Sequence, residues 1–327
     1  TSPSFAEQVS TVEVADDPIH SNSITTKSGW TITPGSCGKA PKIPLPKSIR
    51  GRSFNVPKAM PVCAALQHNK SVKGSDGKFL DIYKGDNIQK WPGWYRKDGK
   101  PISLKRRTDL IPMPKRSPFN QAWCYTKKIQ VKKSAEKKQW VDLTGLNYRG
   151  HLVVWTGKKP TKVAGSEFKG PYTSKSVELT NYLKGGENTI SFEVRPPEPN
   201  SLTPSWLDWS PTDPCKNMGL SREPKFRSTG ESKINGHHVV TKLSSSGKQA
   251  RVSVYLDIKQ QKPIDPKASV VVEIAGKKKR VLLSKLKSNS PVEFTINNPK
   301  LWWPNGMGKP NMNSLNITTY GAKGQPS

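Results

Sequence analysis

The stretch NTISFEV at residues 188–194 alternates apolar and polar residues, with Ile190, Phe192 and Val194 on one side of an extended chain. Successive side chains along a strand point to opposite faces, so a period of two predicts a half-buried strand. The alternation returns at Val252, Val254, Leu256 and Ile258, in SPVEFTINNP and in NSLNITTYG. AWCYTKKIQVKK reads as a further strand, and QWVDLTGLNYRGHLVVWTGKK as two more joined by a turn. ASVVVEIAGKKKRVLLSKL reads as a hairpin with a basic turn. Between these runs stand 29 Pro and 25 Gly, which stop helices and make turns. One short helix is expected, from about Pro61 to Asn69 in VPKAMPVCAALQHN. The fold class is therefore all-β, and the short strands of the last hundred or so residues point to an immunoglobulin-like sandwich.

Charge limits the partners. The chain carries 54 Lys plus Arg against 24 Asp plus Glu, a formal net charge of +30. Such an excess repels itself unless a polyanion compensates it. Residues 1–26 hold Glu7, Glu13, Asp16 and Asp17 and no Lys or Arg, so they read as an extended acidic arm. Residues 90–138 are the basic hot spot, with fifteen Lys or Arg against three acids. Their Pro- and Gly-rich part is expected to be a long loop carrying Lys105, Arg106, Arg107, Lys115 and Arg116. A second cluster is Lys277, Lys278, Lys279 and Arg280. These nine residues are the candidate polyanion contacts. An acidic polysaccharide is the expected partner, and RNA answers to the same charge logic.

The four cysteines, Cys37, Cys63, Cys124 and Cys215, fit no zinc spacing. In an oxidising compartment they permit two disulfides. Three connectivities are open, Cys37–Cys63 being the expected local pair. Asn69 and Asn316 open glycosylation sequons, Asn-Lys-Ser and Asn-Ile-Thr. Together these features place the chain outside the cell or in the secretory pathway, with an organellar ribonucleoprotein as the alternative. No apolar run approaches the roughly 20 residues of a membrane span. The chain opens at Thr1 and reads as processed. No metal site, nucleotide fingerprint or cofactor is expected, and the adjacent His237 and His238 point to opposite faces of a strand.

Several ordered motifs resemble the N-terminal half of glycoside hydrolase family 2, especially its exo-β-D-glucosaminidases and β-mannosidases. They are VPKAMPVCAALQHN, DIYKGDNIQ, WVDLTGLNYRGHLVVWTGKK, TNYLKGGENTISFEVRPPEPNSL, WLDWSPTDPCKNMGLSRE and NPKLWWPNGMGKP. The resemblance covers about residues 28–327 and implies a jelly-roll β-sandwich followed by an immunoglobulin-like β-sandwich. The expected layout is an arm at 1–26, a jelly-roll domain at 27–222 with a basic loop at 90–117, and the second sandwich at 223–327. In this family a TIM barrel follows and carries both catalytic glutamates. A barrel needs roughly 250 residues, so none is expected here and no catalytic residue is assigned.

The same resemblance implies that Trp206, Asp208, Trp209 and Asn217 belong to a loop that reaches a terminal sugar. Cys215 stands where the family pattern has Asp, Ser221 where Trp is common, and Thr156 where an Asn precedes Gly. The site is therefore expected to be reduced. The chain is expected to be a non-catalytic, basic derivative of a family 2 glycosidase, binding carbohydrate or polyanion, or building an assembly with other subunits. Two alternatives stand beside it. One is an N-terminal fragment of an active exo-β-glycosidase whose barrel was cleaved off or lies on another chain, and the other is a scaffold recruited to RNA.

Overall fold

The computed structural model describes residues 24–26, 29–73, 78–81, 117–198, 201–203, 215–287, 289–324 and 326. The chain divides into two compact units. One comprises Ser23–Lys133 and Gln139–Arg227, and the other Ser228–Ser327 with Ser134–Lys138. Both are built of strands, which is the all-β class that the alternating sequence demands.

In the first unit the elements run β1 (Ile24–Thr26), β2 (Trp30–Pro34), β3 (Phe54–Val56), α1 (Val62–His68), β4 (Trp123–Val131), β5 (Lys138–Leu143), β6 (Leu146–Asn147), β7 (Arg149–Thr156), β8 (Lys159–Lys162), β9 (Phe168–Lys169), β10 (Lys175–Glu178), β11 (Gly186–Arg195), β12 (Gly219–Leu220) and β13 (Lys225–Thr229). An eight-stranded sheet has the order β3-β2-β4-β11-β7-β8, with β1 against β4 and β9 against β7. Smaller sheets, β10-β5-β13 and β12-β6, complete the unit. One core joins them: Trp30, Ile32, Trp123, Tyr125, Phe192 and Val194 meet Val141, Leu143, Leu146, Val177 and Leu220. Trp30 sets its ring edge-on to Tyr125 and Phe192, with centroids 6.5 and 5.6 Å apart. Such aromatic pairs add to plain burial.

The second unit contains β14 (Ser232–Leu243), β15 (Gln249–Gln260), β16 (Ser269–Ile274), β17 (Lys277–Leu282), a 3-10 turn (Leu283–Lys285), β18 (Val292–Asn297) and β19 (Leu315–Tyr320). Two three-stranded sheets, β14-β15-β18 and β17-β16-β19, share a core of Val252, Val254, Val270, Val272, Ile274, Phe294 and Leu315. The hairpin expected around residues 268–286 is present, but its basic run is not the turn. Ala275 and Gly276 turn the chain, with φ of 47° and 75°. Two successive left-handed residues match the twist of the flanking strands, so Lys277–Arg280 fall in β17 instead.

Candidate functional site

Trp206, Asp208 and Trp209 of the sugar-contacting loop lie outside the described residues, and so do Lys105, Arg106, Arg107, Lys115 and Arg116 of the basic loop. The far limb of the first loop, residues 215–220, is described. There Lys216 and Asn217 are both left-handed, with φ of 49° and 51°. The Asn147 side-chain amide donates to both of their carbonyls, at 2.8 and 2.9 Å. The Val62 amide of α1 donates to Met218 O at 2.8 Å. Asn217 is half-buried on this anchored turn. The next residue, Gly219, has φ of 132°, and a Cβ there would stand 2.0 Å from the Tyr125 hydroxyl.

The cysteines pair as Cys37–Cys124 and Cys63–Cys215, which corrects the expected local pair Cys37–Cys63. Sheet order is the reason. Cys37 follows β2, whose Thr33 lies opposite Cys124 on neighbouring β4. Cys63 sits on α1, and α1 packs against the segment that carries Cys215. The cysteine standing where the family pattern has Asp is thus a covalent tie between the loop and the helix. Ser221, standing for a common Trp, donates its hydroxyl to Gly145 O at 2.6 Å and ties the segment after β12 to the turn between β5 and β6.

One charged centre escaped the sequence reading. Lys127 lies in the apolar row of β4, between Tyr125 and Ile129, and is only 5% exposed. Its ammonium stands 2.6 Å from Glu223 Oε1 and 4.9 Å from the centre of the Trp30 ring. Glu223 also accepts from Trp30 Nε1 at 2.9 Å and from the Ala59 amide at 2.8 Å. Burial alone would push the Glu223 carboxyl up, but the Lys127 ammonium and these donors outweigh it and hold the pKa below its usual value. The signal was there: position 127 completes the alternation Trp123, Tyr125, Ile129, Val131.

Glu223→Gln is expected to cost about 2 kcal/mol in urea unfolding, less than for a fully buried pair because Glu223 is half-exposed. A lowered carboxyl pKa contributes stability that is present above the unfolded value of about 4.5 and is lost as pH falls through the folded value. The Gln variant should therefore lack that part of the acid-side decline.

The second basic cluster divides in two. All four residues of Lys277–Arg280 are exposed on β17, an edge strand of its sheet. Lys277 donates to Thr295 O, and Lys279 lies 5.4 Å from the Phe294 ring centre, so both reach across to β18. Lys278 and Arg280 are the alternate residues. Lys278 pairs in register with Glu273, which faces Asn316, and Arg280 stacks 4.7 Å from the Tyr320 ring centre. Asn316 is exposed on this same face. Asn69, by contrast, uses its amide at the end of α1, donating to Ala65 O at 2.9 Å and Asn55 O at 3.1 Å. His238 stacks on Tyr255 with centroids 4.3 Å apart. Among the described residues no group of His, Cys, Asp or Glu could hold a metal, and no helix is long and apolar enough to cross a membrane.

Comparison with known proteins adds the lineage. Residues 228–327 match the family Glycosyl hydrolases family 2. The chain is 28% identical over 205 residues to an exo-beta-D-glucosaminidase of Amycolatopsis orientalis, covering 61% of this chain and 20% of that protein. It is 25% identical over 257 residues to an exo-beta-D-glucosaminidase of Streptomyces avermitilis, covering 74% and 25%. A beta-mannosidase B of Aspergillus flavus is 29% identical over 113 residues, covering 34% and 13%. The chain therefore spans about a quarter or less of the curated relatives it matches. In fold, it aligns with the crystal structure of the Amycolatopsis orientalis exo-chitosanase at a TM-score of 0.68 and 24% identity, over 93% of this chain and 32% of that one. The chain is thus a relative of family 2 glycosyl hydrolases and corresponds to their N-terminal portion.

Proposed function

We propose that these residues form a non-catalytic, strongly basic module that binds acidic carbohydrate or a similar polyanion within an assembly. The observation that supports this best is the charge of +30 on a sugar-enzyme scaffold. A retaining glycosidase needs two carboxyl groups about 5–5.5 Å apart facing one sugar. Three carboxylates tied into the first unit serve other ends: Glu193 meets Arg195 and the Cys37 amide, Asp142 meets Arg227, and Glu223 meets Lys127. Two disulfides suit an extracellular or secretory location, because they persist in oxidising compartments.

The test compares cations on the two faces of β17. Lys278→Ala with Arg280→Ala should lower the salt slope of heparin binding by about two, roughly one per contacting cation. Lys277→Ala with Lys279→Ala should leave the slope in place, since those side chains lie on the other face of β17, toward β18. Equal slopes for wild type and the first pair would remove β17 from the binding surface. The triple variant Lys105→Ala, Arg106→Ala, Arg107→Ala tests the basic loop in the same way.

A second reading is favoured by the partial coverage of the relatives. The chain would then be the N-terminal part of an active exo-β-glycosidase acting on glucosamine or mannose units, with its barrel further along the chain or on another one. Turnover of aryl β-glycosides by these purified residues, abolished by one Glu or Asp change, would contradict the non-catalytic reading.

A further inference from the structure

The eight-stranded sheet has a second face, turned away from the core that holds Trp30 and Phe192. Register aligns its rows: Thr33 with Cys124, Thr31 with Thr126 and Ser191, and Thr189 with Trp155. Most of a sheet's solvent face carries long charged side chains, but here short hydroxyls and one tryptophan leave a hollow. It measures about 440 Å³ and is lined by Thr31, Thr33, Gly38, Thr126, Lys128 and Trp155. That lies within the roughly 300–1,000 Å³ of small-ligand sites.

The lining is ordered by its own bonds. Trp155 is half-buried and packs against Cys37, Cys124 and Val153, so the Cys37–Cys124 disulfide buttresses the ring. Its indole N–H donates to Ser191 Oγ at 2.7 Å, and Ser191 Oγ lies 2.8 Å from Thr126 Oγ1. Thr126 Oγ1 also lies 3.7 Å from Cys124 Sγ, so indole and hydroxyls form one linked polar row along the floor of the hollow. Thr31 donates to Asn55 Oδ1 at 2.9 Å. Gly38 has φ of 78°, and a Cβ there would meet Pro160 Cγ at 2.9 Å and Trp155 Cη2 at 3.4 Å. Glycine thus keeps the wall open beside the ring. At the rim, Lys128 is held by an exposed pair with Glu187 at 2.8 Å. Such pairs contribute little, so a ligand carboxylate can take the place of Glu187.

We propose that this hollow is a subsite for one pyranose ring of an acidic polysaccharide. The C–H face of the sugar lies on Trp155, ring hydroxyls meet Thr33 and Thr126, and a uronate carboxylate meets Lys128. The inference rests on the polyanion-binding reading above and names the sugar class for it. An aromatic plane supplies the apolar contact, and convergent hydroxyls with one cation fix orientation.

The probes are a β-1,4-mannuronate hexasaccharide and β-1,4-mannohexaose, equal in length and linkage and different in charge. Calorimetry with wild type should show the acidic hexamer binding at least tenfold more tightly. Trp155→Ala should weaken that binding about tenfold or more. Thr33→Val, which leaves the Trp155 packing intact, should weaken it about threefold, and Lys128→Ala should bring the two hexamers close together. Melting curves of Thr33→Val and Lys128→Ala matching wild type keep the test independent of Trp155→Ala folding. Acidic-hexamer binding unchanged in Trp155→Ala and Thr33→Val overturns the subsite while the polyanion reading stands. Equal binding of the two hexamers by wild type overturns the acidic assignment. Failure of wild type to bind heparin or any uronate overturns the polyanion reading, and the subsite falls with it.

Discussion

Replacing Cys63 and Cys215 together by Ala is expected to lower the unfolding free energy of the first unit by about 4 kcal/mol. The two residues are 152 apart in sequence. In the chain-entropy model a loop of that length confines the unfolded chain by about 5 kcal/mol, the upper end of what disulfides deliver. Disulfides commonly deliver less than this model predicts, because the unfolded chain keeps some structure, so about 4 kcal/mol is expected. A small domain has only about 5–15 kcal/mol in total. The double variant should therefore show a much lower urea midpoint, with a somewhat steeper slope because the unfolded chain is no longer cross-linked. A loss under 1 kcal/mol would mean that α1 and the 215–220 segment hold together without the bond. The Cys37–Cys124 bond, with a span of 87 residues, should act similarly but slightly less.

Gly219→Ala is expected to cost about 3 kcal/mol or more. The added Cβ would stand 2.0 Å from the Tyr125 hydroxyl, 2.9 Å from its ring carbon and 3.1 Å from Pro61 Cα. The φ of 132° is strained for any L side chain, which adds about 1 kcal/mol. Tyr125 cannot step aside. It is fully buried, its hydroxyl donates to Met60 O at 2.9 Å, and burial holds its phenol neutral far above the usual range. Moving it leaves the Met60 carbonyl without that donor, a further cost of about 1–3 kcal/mol. Tyr125→Phe removes the clashing oxygen. If the clash is the cause, the double variant Gly219→Ala, Tyr125→Phe should be more stable than the sum of the single changes implies. Strict additivity would place the cost in the backbone instead.

The strands and the helix were legible because each is governed by near neighbours in sequence. Ile190, Phe192 and Val194 alternate, and so they line the core; Val62–His68 sits between Pro61 and Asn69, where a helix was expected. What was not legible depends on sheet order. Cys37 joins Cys124 because β2 neighbours β4, a fact no local window contains. The KKKR run reads as a turn by polarity, yet Ala275 and Gly276 take the left-handed conformations and leave the lysines extended. Lys127 falls within the basic run of residues 90–138, and only its place in the alternation marks it as inward. The hollow around Trp155 needs four strands in register before its residues meet, so sequence spacing between Thr33, Thr126 and Trp155 carries no trace of it.

The most direct measurement of the central claim is a salt titration of binding. The chain would be titrated against heparin, RNA and a neutral glucan at several salt concentrations. Cations that replace condensed counterions release them, so affinity for an acidic polymer should fall linearly on a log–log plot, by roughly 0.7–0.9 per contacted charge where the polymer is a nucleic acid. A sulfated glycan with wider charge spacing should give a shallower line, and the neutral glucan should bind weakly with no slope. A steep fall for heparin with weak glucan binding is the expected result. A flat salt response, or glucan affinity equal to heparin affinity, would contradict the account and make the +30 a solvated surface only.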